Sequence, residues 1–453
     1  MSWIAIANVG DWSNITPFLK ALFTITVWIY ISVSFMGSFV LTAVGITFLK
    51  PFDNLRRCLI IFPSLWIIAG YLGSWLFSVV TWSSDGNGLN TLNSIGNLGL
   101  PAAMTPLAFL SRFVGLYGLA AIVVAINVVI WYSARSKKPQ PVIWALGLLV
   151  ITVGATHLLT PVKTMKPIMA AAQQETNAAL TGTRGLEADY SKNALPTNVD
   201  KVDILVLPEY ASLFSGTSRV AQQTALQHIL KSDGSVIYGS GSLSKDGRLY
   251  NQIRLANANG VTYAAQEKTY LVPFGEFIPG AYRAGLNLLG FDKYLSYYAP
   301  GRMTQRGSDG MTKLYTKNDV QYGSLACTAT ATPSLYRSLA AQGANVLTNS
   351  ASLSFTQAHS TLQGMTVEQL HFEAVANAKP MVVSTRGGHA YIIDHNGATK
   401  AQTKVISNTL IYSSIQPTQG RTLYTILGEY VLWVAGAILA GITFVTLSKK
   451  YTR

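Results

Sequence analysis

Charge is distributed so unevenly along this chain that it dictates the architecture. Segments 21–49, 58–82, 106–132, 142–160 and 423–447 are apolar and nearly free of charge, and each is close to the roughly 20 residues needed to cross a bilayer core. Between the fourth and the fifth, residues 163–422 hold 23 of the 34 Lys and Arg and 16 of the 20 Asp and Glu. Such a block cannot sit in hydrocarbon, where each unpaired charge costs several kcal/mol. The sequence therefore divides into an N-terminal transmembrane region (1–162) with four helices, a large soluble domain (163–422), and a C-terminal transmembrane helix with a basic tail (423–453). Segment 21–49 is long for one crossing and too short for two, which predicts one tilted helix. Arg112 and Glu429 are the charged residues within these five segments. Both lie near a segment end, where snorkelling would keep their cost low.

The flanking basic residues give an orientation. Lys50, Arg56 and Arg57 follow the first segment; Arg135, Lys137 and Lys138 follow the third; Lys449, Lys450 and Arg453 follow the fifth. All three groups fall on one side if the segments alternate, and the positive-inside rule makes that side the cytoplasm. Residues 83–105 contain no Lys or Arg and are rich in Gly and Asn, as an outer loop would be. The soluble domain then lies outside, and so does the N-terminus. A cleavable signal peptide is not expected, because the first ten residues lack a basic start.

Composition removes several function classes. Charged residues are 12% and hydrophobic residues 49% of the chain, which fits neither a purely soluble enzyme nor a disordered chain. Two cysteines, Cys58 and Cys327, are too few for a disulfide scaffold or a Cys-rich zinc site, and the six histidines show no ligand spacing, so neither metal nor cofactor is expected. The net charge of +14 invites a nucleic-acid reading. Nine of the basic residues are explained by topology and the rest form no stripe, so no nucleic-acid partner is expected.

Within the soluble domain, short apolar runs at 168–171, 202–207, 235–238, 322–326, 346–348, 381–384 and 390–393 read as buried strands. Helical patterns occupy 218–231, 333–342 and 361–378, with Thr332 as N-cap, Pro333 at the first helical position and Gly343 as the stop. Asp246-Gly247, Asn259-Gly260 and Asn396-Gly397 mark hairpin turns. Strands alternating with helices indicate an α/β or layered α+β domain.

Three places can carry chemistry. Leu205-Val-Leu-Pro-Glu209 delivers a carboxylate at the end of a buried strand, where α/β folds build their sites; a solvent-facing Glu is the alternative. Lys268 and Glu276 bracket the apolar core 271–274 and the turn at Gly275, so rigid backbone holds both, although a surface salt bridge would look the same. Cys327 ends a strand of small residues and precedes a helix, whose positive end would lower the thiol pKa and activate a nucleophile. An inert buried Cys is the competing reading.

Taken in order, with these contexts, Glu209, Lys268 and Cys327 resemble the Glu-Lys-Cys triad of the nitrilase (carbon–nitrogen hydrolase) superfamily. Within it the chain particularly resembles the bacterial apolipoprotein N-acyltransferases. Residues 268–279, with a second Glu eight positions after the Lys at Glu276, are similar to that family's Lys motif. Asp394-His-Asn-Gly397, preceded by Ser384-Thr385 and Gly388, is similar to its late strand-and-turn motif, and Phe113-Val-Gly-Leu-Tyr-Gly-Leu119 to the start of one of its helices. The resemblance covers about residues 60–447. It implies an α/β nitrilase-like fold, a four-layer α-β-β-α sandwich, joined to a helical transmembrane region of about five spans. It also implies Glu209, Lys268 and Cys327 as catalytic residues with Glu276 assisting, a phospholipid acyl donor, a lipoprotein or other amine acceptor, and residence in the bacterial inner membrane with the catalytic domain on the periplasmic side.

Three departures matter. The family usually has eight spans against the five counted here, so the comparison implies that the first few are missing. Thr328-Ala329 follow the Cys where the acyltransferases carry Tyr-Glu, and Asn349-Ser-Ala-Ser-Leu-Ser-Phe355 stands in place of their Asn-Asp-Ala-Trp-Phe. A different substrate is the alternative: a membrane-tethered amidase or esterase, or a nitrilase-like protein associated with conjugal transfer. Segment 281–298 mixes Leu, Tyr and Phe with Arg283 and Lys293, an amphipathic composition that suits a bilayer interface as well as a helix packed on the core.

Overall fold

The computed structural model describes residues 17–89, 92–159, 162–176, 201–214, 218–244, 247–290, 304–307, 314–315, 319–353, 361–404 and 407–451. In the soluble part every strand expected from the sequence is present. We label them β1 (Ile168–Glu175), β2 (Val202–Glu209), β3 (Leu230–Leu243), β4 (Leu249–Asn257), β5 (Thr262–Glu267), β6 (Gln321–Ala326), β7 (Val346–Ser352), β8 (Met381–Arg386), β9 (Tyr391–Ile393), β10 (Thr399–Gln402) and β11 (Thr409–Ile415).

Alternation along the strands decides the layering, because successive side chains face opposite sides of a sheet. Ile204 and Val206 of β2 point inward with Ala170, Ile237 and Leu255, and meet Tyr322, Val346, Val382 and Ile392 from the second half of the chain. Leu205 and Leu207 point the other way, onto Leu226 and Ile229 of α5 (Arg219–Ile229). On the far side, Leu325, Leu347, Met381 and Val383 are covered by Tyr336 and Leu339 of α7 (Pro333–Ala341) and by Leu370 and Ala374 of α8 (Thr361–Ala376). The result is an α-β-β-α sandwich. Each fully buried Leu, Ile or Val in it contributes about 1.5–3 kcal/mol.

The strands run β5-β4-β3-β2-β1 in one half and β8-β7-β6 in the other. The halves join where Thr385 and Arg386 of β8 pair with Gln174 and Glu175 at the end of β1, and β11 lies antiparallel along β1. Strands β1, β2 and β3 are mutually parallel, as are β6, β7 and β8. Hairpins connect β3 to β4, β4 to β5 and β9 to β10, with Gly247, Gly260 and Gly397 at positive φ; Asp246 lies outside the described residues. The Thr332 side chain makes no capping bond, so Pro333 at the first turn is the start signal that survives.

The membrane part contains α1 (Pro17–Leu49), α2 (Leu55–Val80), α3 (Ser111–Ser136), α4 (Gln140–Leu159) and α9 (Val431–Tyr451). Thr24–Leu49, Leu55–Val80, Pro106–Ser136 and Val431–Ser448 are long and apolar enough to span a bilayer, and Gln140–Thr156 of α4 is a shorter apolar stretch. Two expectations need correction here. The last span does not begin at 423: a short helix, Leu423–Leu427, is broken by Gly428 at φ +63°, and the membrane helix starts at Val431. Arg112 does not snorkel. It is 1% exposed, and its guanidinium donates to the carbonyls of Val375 (3.2 Å) and His395 (2.8 Å) and to Asn396 Oδ1 (2.9 Å). It therefore staples a membrane helix to the sandwich. Of the amphipathic segment, α6 (Gly280–Leu288) is described, whereas 291–298 lie outside the described residues.

Candidate active site

Glu209 is the last residue of β2 and Cys327 the first after β6, so both stand at carboxyl ends of parallel strands. Lys268 follows β5 immediately, its backbone fixed on both sides: its N–H donates to Asn251 O (2.7 Å) and its carbonyl accepts from Gly307 N (2.9 Å). Glu276 sits in a tight turn in which Gly275 N and Glu276 N both donate to Val272 O. Its Oε2 in turn accepts from Val272 N at 2.8 Å.

The turn brings the charges together. Lys268 Nζ donates to Glu209 Oε1 at 3.2 Å and to Glu276 Oε1 at 2.9 Å. Lys268 and Glu209 are each 4% exposed. Burial works against the charged amine, but the two carboxylates outweigh it and hold the Lys268 ammonium well above the ordinary lysine value. Burial, with repulsion from Glu276 added, raises the Glu209 carboxyl, while Lys268 and Asn251 pull it back. A raised carboxylate is a better proton acceptor near neutral pH than an exposed one.

Cys327 is 5% exposed, and its Sγ donates to Ser352 O at 3.5 Å. A neutral thiol is the resting form, contrary to the activated thiolate expected from a helix end. Burial first, then the negative charge of Glu209, pushes the thiol up to about 12, and Lys268 only partly opposes this. The segment after Cys327 is a five-residue 3-10 turn, Cys327–Ala331, and α7 begins beyond it at Pro333. That is too little aligned backbone to offset the loss of solvent.

Non-glycine residues with positive φ gather around this centre: Tyr210 (55°), Phe274 (63°) and Cys327 (50°). Each costs on the order of 1 kcal/mol or more and persists only where the surroundings enforce it. At Tyr210 the enforcement is visible. Its N–H donates to Gly239 O (3.0 Å), and its carbonyl accepts from buried Arg386, which pairs with Glu175 at 2.6 Å. Gly239 itself must be glycine, because a Cβ there would stand 2.8 Å from Glu209 Cα.

Two supporting residues escaped the sequence reading. Asn251 donates through Nδ2 to Glu209 Oε1 and is 1% exposed. Its signal was present, since Asn251 shares parity on β4 with buried Ile253 and Leu255 and so had to face the interior. Asn349 entered that reading only as a departure from a family motif. Its Nδ2 donates to Cys327 O (3.1 Å) and to Tyr336 OH (3.0 Å), which holds the Cys327 turn against α7. Among the described residues no group of three or more His, Cys, Asp or Glu is placed to hold a metal. An open cleft of about 420 Å³, lined by Asp319, Asn345, Lys379 and Arg421 among others, lies at the opposite ends of β6 and β7 and contains none of the four clustered residues.

The chain is similar to known proteins. The chain is 26% identical over 420 residues to the apolipoprotein N-acyltransferase of Geobacter metallireducens, covering 85% of this chain and 74% of that one. It is 24% identical over 400 residues to the enzyme of the same name from Vibrio vulnificus, covering 84% and 74%. Among solved structures, a carbon–nitrogen hydrolase from Helicobacter pylori superposes with a TM-score of 0.42 at 14% identity, over 59% of this chain and 94% of that one. The carbon–nitrogen hydrolase family model matches residues 168–424. That match runs from the first residue of β1 into the short helix that precedes α9 and takes in both halves of the sandwich, and the chain belongs to the carbon–nitrogen hydrolase family.

Proposed function

We propose that this protein is a membrane-bound acyltransferase of the apolipoprotein N-acyltransferase type, moving an acyl group from a phospholipid through a Cys327 thioester to an amine such as a lipoprotein N-terminus. The observation that carries the reading is the buried Lys268 ammonium held at once by Glu209 and Glu276 at the strand ends that also present Cys327. The two named relatives support it, because their similarity extends over 84–85% of the chain and so beyond the family match into the membrane helices.

In this scheme residues 163–422 are the catalytic domain. Glu209 takes the thiol proton as Cys327 Sγ forms its bond to the ester carbonyl carbon, and Lys268 stabilises the oxyanion. The carbon–oxygen bond then breaks and Glu209 returns the proton to the departing alcohol, leaving a thioester. An incoming amine attacks, the carbon–sulfur bond breaks, and Glu209 carries the amine proton to the sulfur. A thiol that ionises only as it attacks is consistent with its high resting pKa. Glu276 holds the ammonium in place throughout.

A lipid donor fits the surroundings. Tyr282 of α6 hydrogen-bonds Thr26 of α1 at 3.1 Å, and Tyr30, Phe274 and Tyr282 form edge-to-face ring contacts. Helix α6 thus lies against membrane helices with Leu288 and Leu289 exposed, 88% and 69%, as an interfacial helix would. With the basic loops on the cytoplasmic face, the site lies on the periplasmic side of a bacterial inner membrane. A second reading, hydrolysis or transfer to another acceptor, is favoured by one feature, Thr328-Ala329 after the nucleophile. Complementation separates the two. Growth of a bacterium depleted of its own N-acyltransferase, restored by the wild type and not by Cys327→Ala, supports the first; no rescue alongside Cys327-dependent ester cleavage in vitro supports the second.

A further inference from the structure

The outer loop between α2 and α3 does more than connect membrane helices. Its Asn87, 3% exposed, meets the backbone of Leu271 as a second strand would: Nδ2 donates to Leu271 O at 2.7 Å and Oδ1 accepts from Leu271 N at 2.8 Å. Leu271 lies between Lys268 and Glu276, next to Val272, whose N–H holds the Glu276 carboxylate. The neighbouring Gly86 is pressed so closely to Phe277 that a Cβ would stand 2.3 Å from its ring, and Gly280 N donates to Trp82 O at 2.7 Å. Further along, Ser94 grips the other half of the site. Its N–H and Oγ both donate to Ala331 O, at 2.7 and 3.1 Å, at the end of the turn that starts at Cys327. Ser94 is itself fixed by Gln369 Nε2 (3.0 Å), and Asn93 exchanges two hydrogen bonds with Ser74 of α2.

We propose that Asn87 and Ser94 are positioning residues for the reaction, a clamp by which the membrane region sets the Lys268–Glu276 turn and the Cys327 turn relative to each other. This rests on the activity proposed above. Among the described residues the Leu271 backbone and the Ala331 carbonyl find these partners in the loop and not in the sandwich. An ammonium that must serve Glu209, Glu276 and the developing oxyanion tolerates little drift, and a displacement of about 1 Å can cost 100-fold in rate. The membrane helices thereby become part of the catalytic scaffold as well as an anchor.

The test uses full-length protein in detergent with p-nitrophenyl octanoate as probe, together with hydrogen exchange of peptides covering 268–277 and 327–332. Asn87→Ala and Ser94→Ala are each expected to lower the kcat of the acylation burst at least tenfold with KM within twofold. Exchange in those two peptides should rise, and Asn87→Gln should recover part of both. If the wild type gives no Cys327-dependent burst, the proposed activity fails while the exchange result alone decides the clamp. Wild-type kcat, or unchanged exchange in the two peptides, would overturn it. So would loss of folded protein in Asn87→Ala, Asn87→Gln and Ser94→Ala alike, since the loop would then be a general support.

Discussion

Two lysines are buried in the same sandwich and meet opposite fates. Lys268, 4% exposed, has two carboxylates within 3.2 Å and holds its proton well above the ordinary value. Lys379, 1% exposed, donates to the carbonyls of Thr418 (2.9 Å) and Gly420 (3.0 Å); burial, aided by repulsion from Arg421, lowers it to about 8. Backbone dipoles satisfy hydrogen bonds but do not replace the lost hydration of a charge. The cation at the candidate site is therefore made by Glu209 and Glu276, and in the proposed mechanism the carboxylates are as much a part of the electrophilic machinery as the amine.

The largest expected effect comes from removing the amine. Lys268→Met leaves two buried carboxylates facing each other, which should cost about 3–5 kcal/mol of stability and about 10³-fold in acyl transfer. Thermal unfolding and burst kinetics read the two separately, and an active, stable variant would break the contrast between the lysines. Next is Glu276→Gln. With one carboxylate left, the Lys268 amine should move down toward the behaviour of Lys379, so the alkaline limb of the pH–rate profile shifts to lower pH and kcat falls about 100-fold.

Lys379 itself sharpens the comparison through stability. Its amine titrates near 8 when folded and at an ordinary 10.5 when unfolded, so between those values the unfolded chain holds the extra proton and stability rises with pH. Below about pH 8 both forms are charged and the penalty, on the order of 3 kcal/mol, is constant. Lys379→Met should lose that rise between pH 8 and 10.5, as followed by chemical denaturation. The smallest effect concerns the periphery. Leu288→Ser with Leu289→Ser should leave unfolding unchanged, because both side chains are exposed, yet lower activity on phospholipid vesicles several-fold more than on a soluble ester.

Short apolar runs made the strands readable, whereas the four-layer order followed only from the family resemblance; the Ile204/Val206 and Leu205/Leu207 faces, which meet two different cores, are nonetheless local information. The segregated charge made the membrane division readable in the same way. Tertiary partners were not readable. Arg112 looked like a snorkelling residue because its neighbours in sequence are apolar, whereas its partners, Val375, His395 and Asn396, lie more than 260 residues away. Cys327 looked activated because only the following helix could be seen; the burial that raises its pKa is set by the folded sandwich, and the carboxylate that adds to it, Glu209, lies 118 residues away in sequence. Asn87 carried no signal in a loop rich in Gly and Asn, since nothing local distinguishes the amide that binds Leu271 from those around it.

The most direct measurement is the mass of the intact protein after incubation with phospholipid vesicles and a rapid acid quench, without an acceptor amine. The account expects one added acyl mass, mapped to Cys327, released by neutral hydroxylamine and absent from Cys327→Ala. No adduct on the wild type, or an adduct that persists in Cys327→Ala, would contradict it.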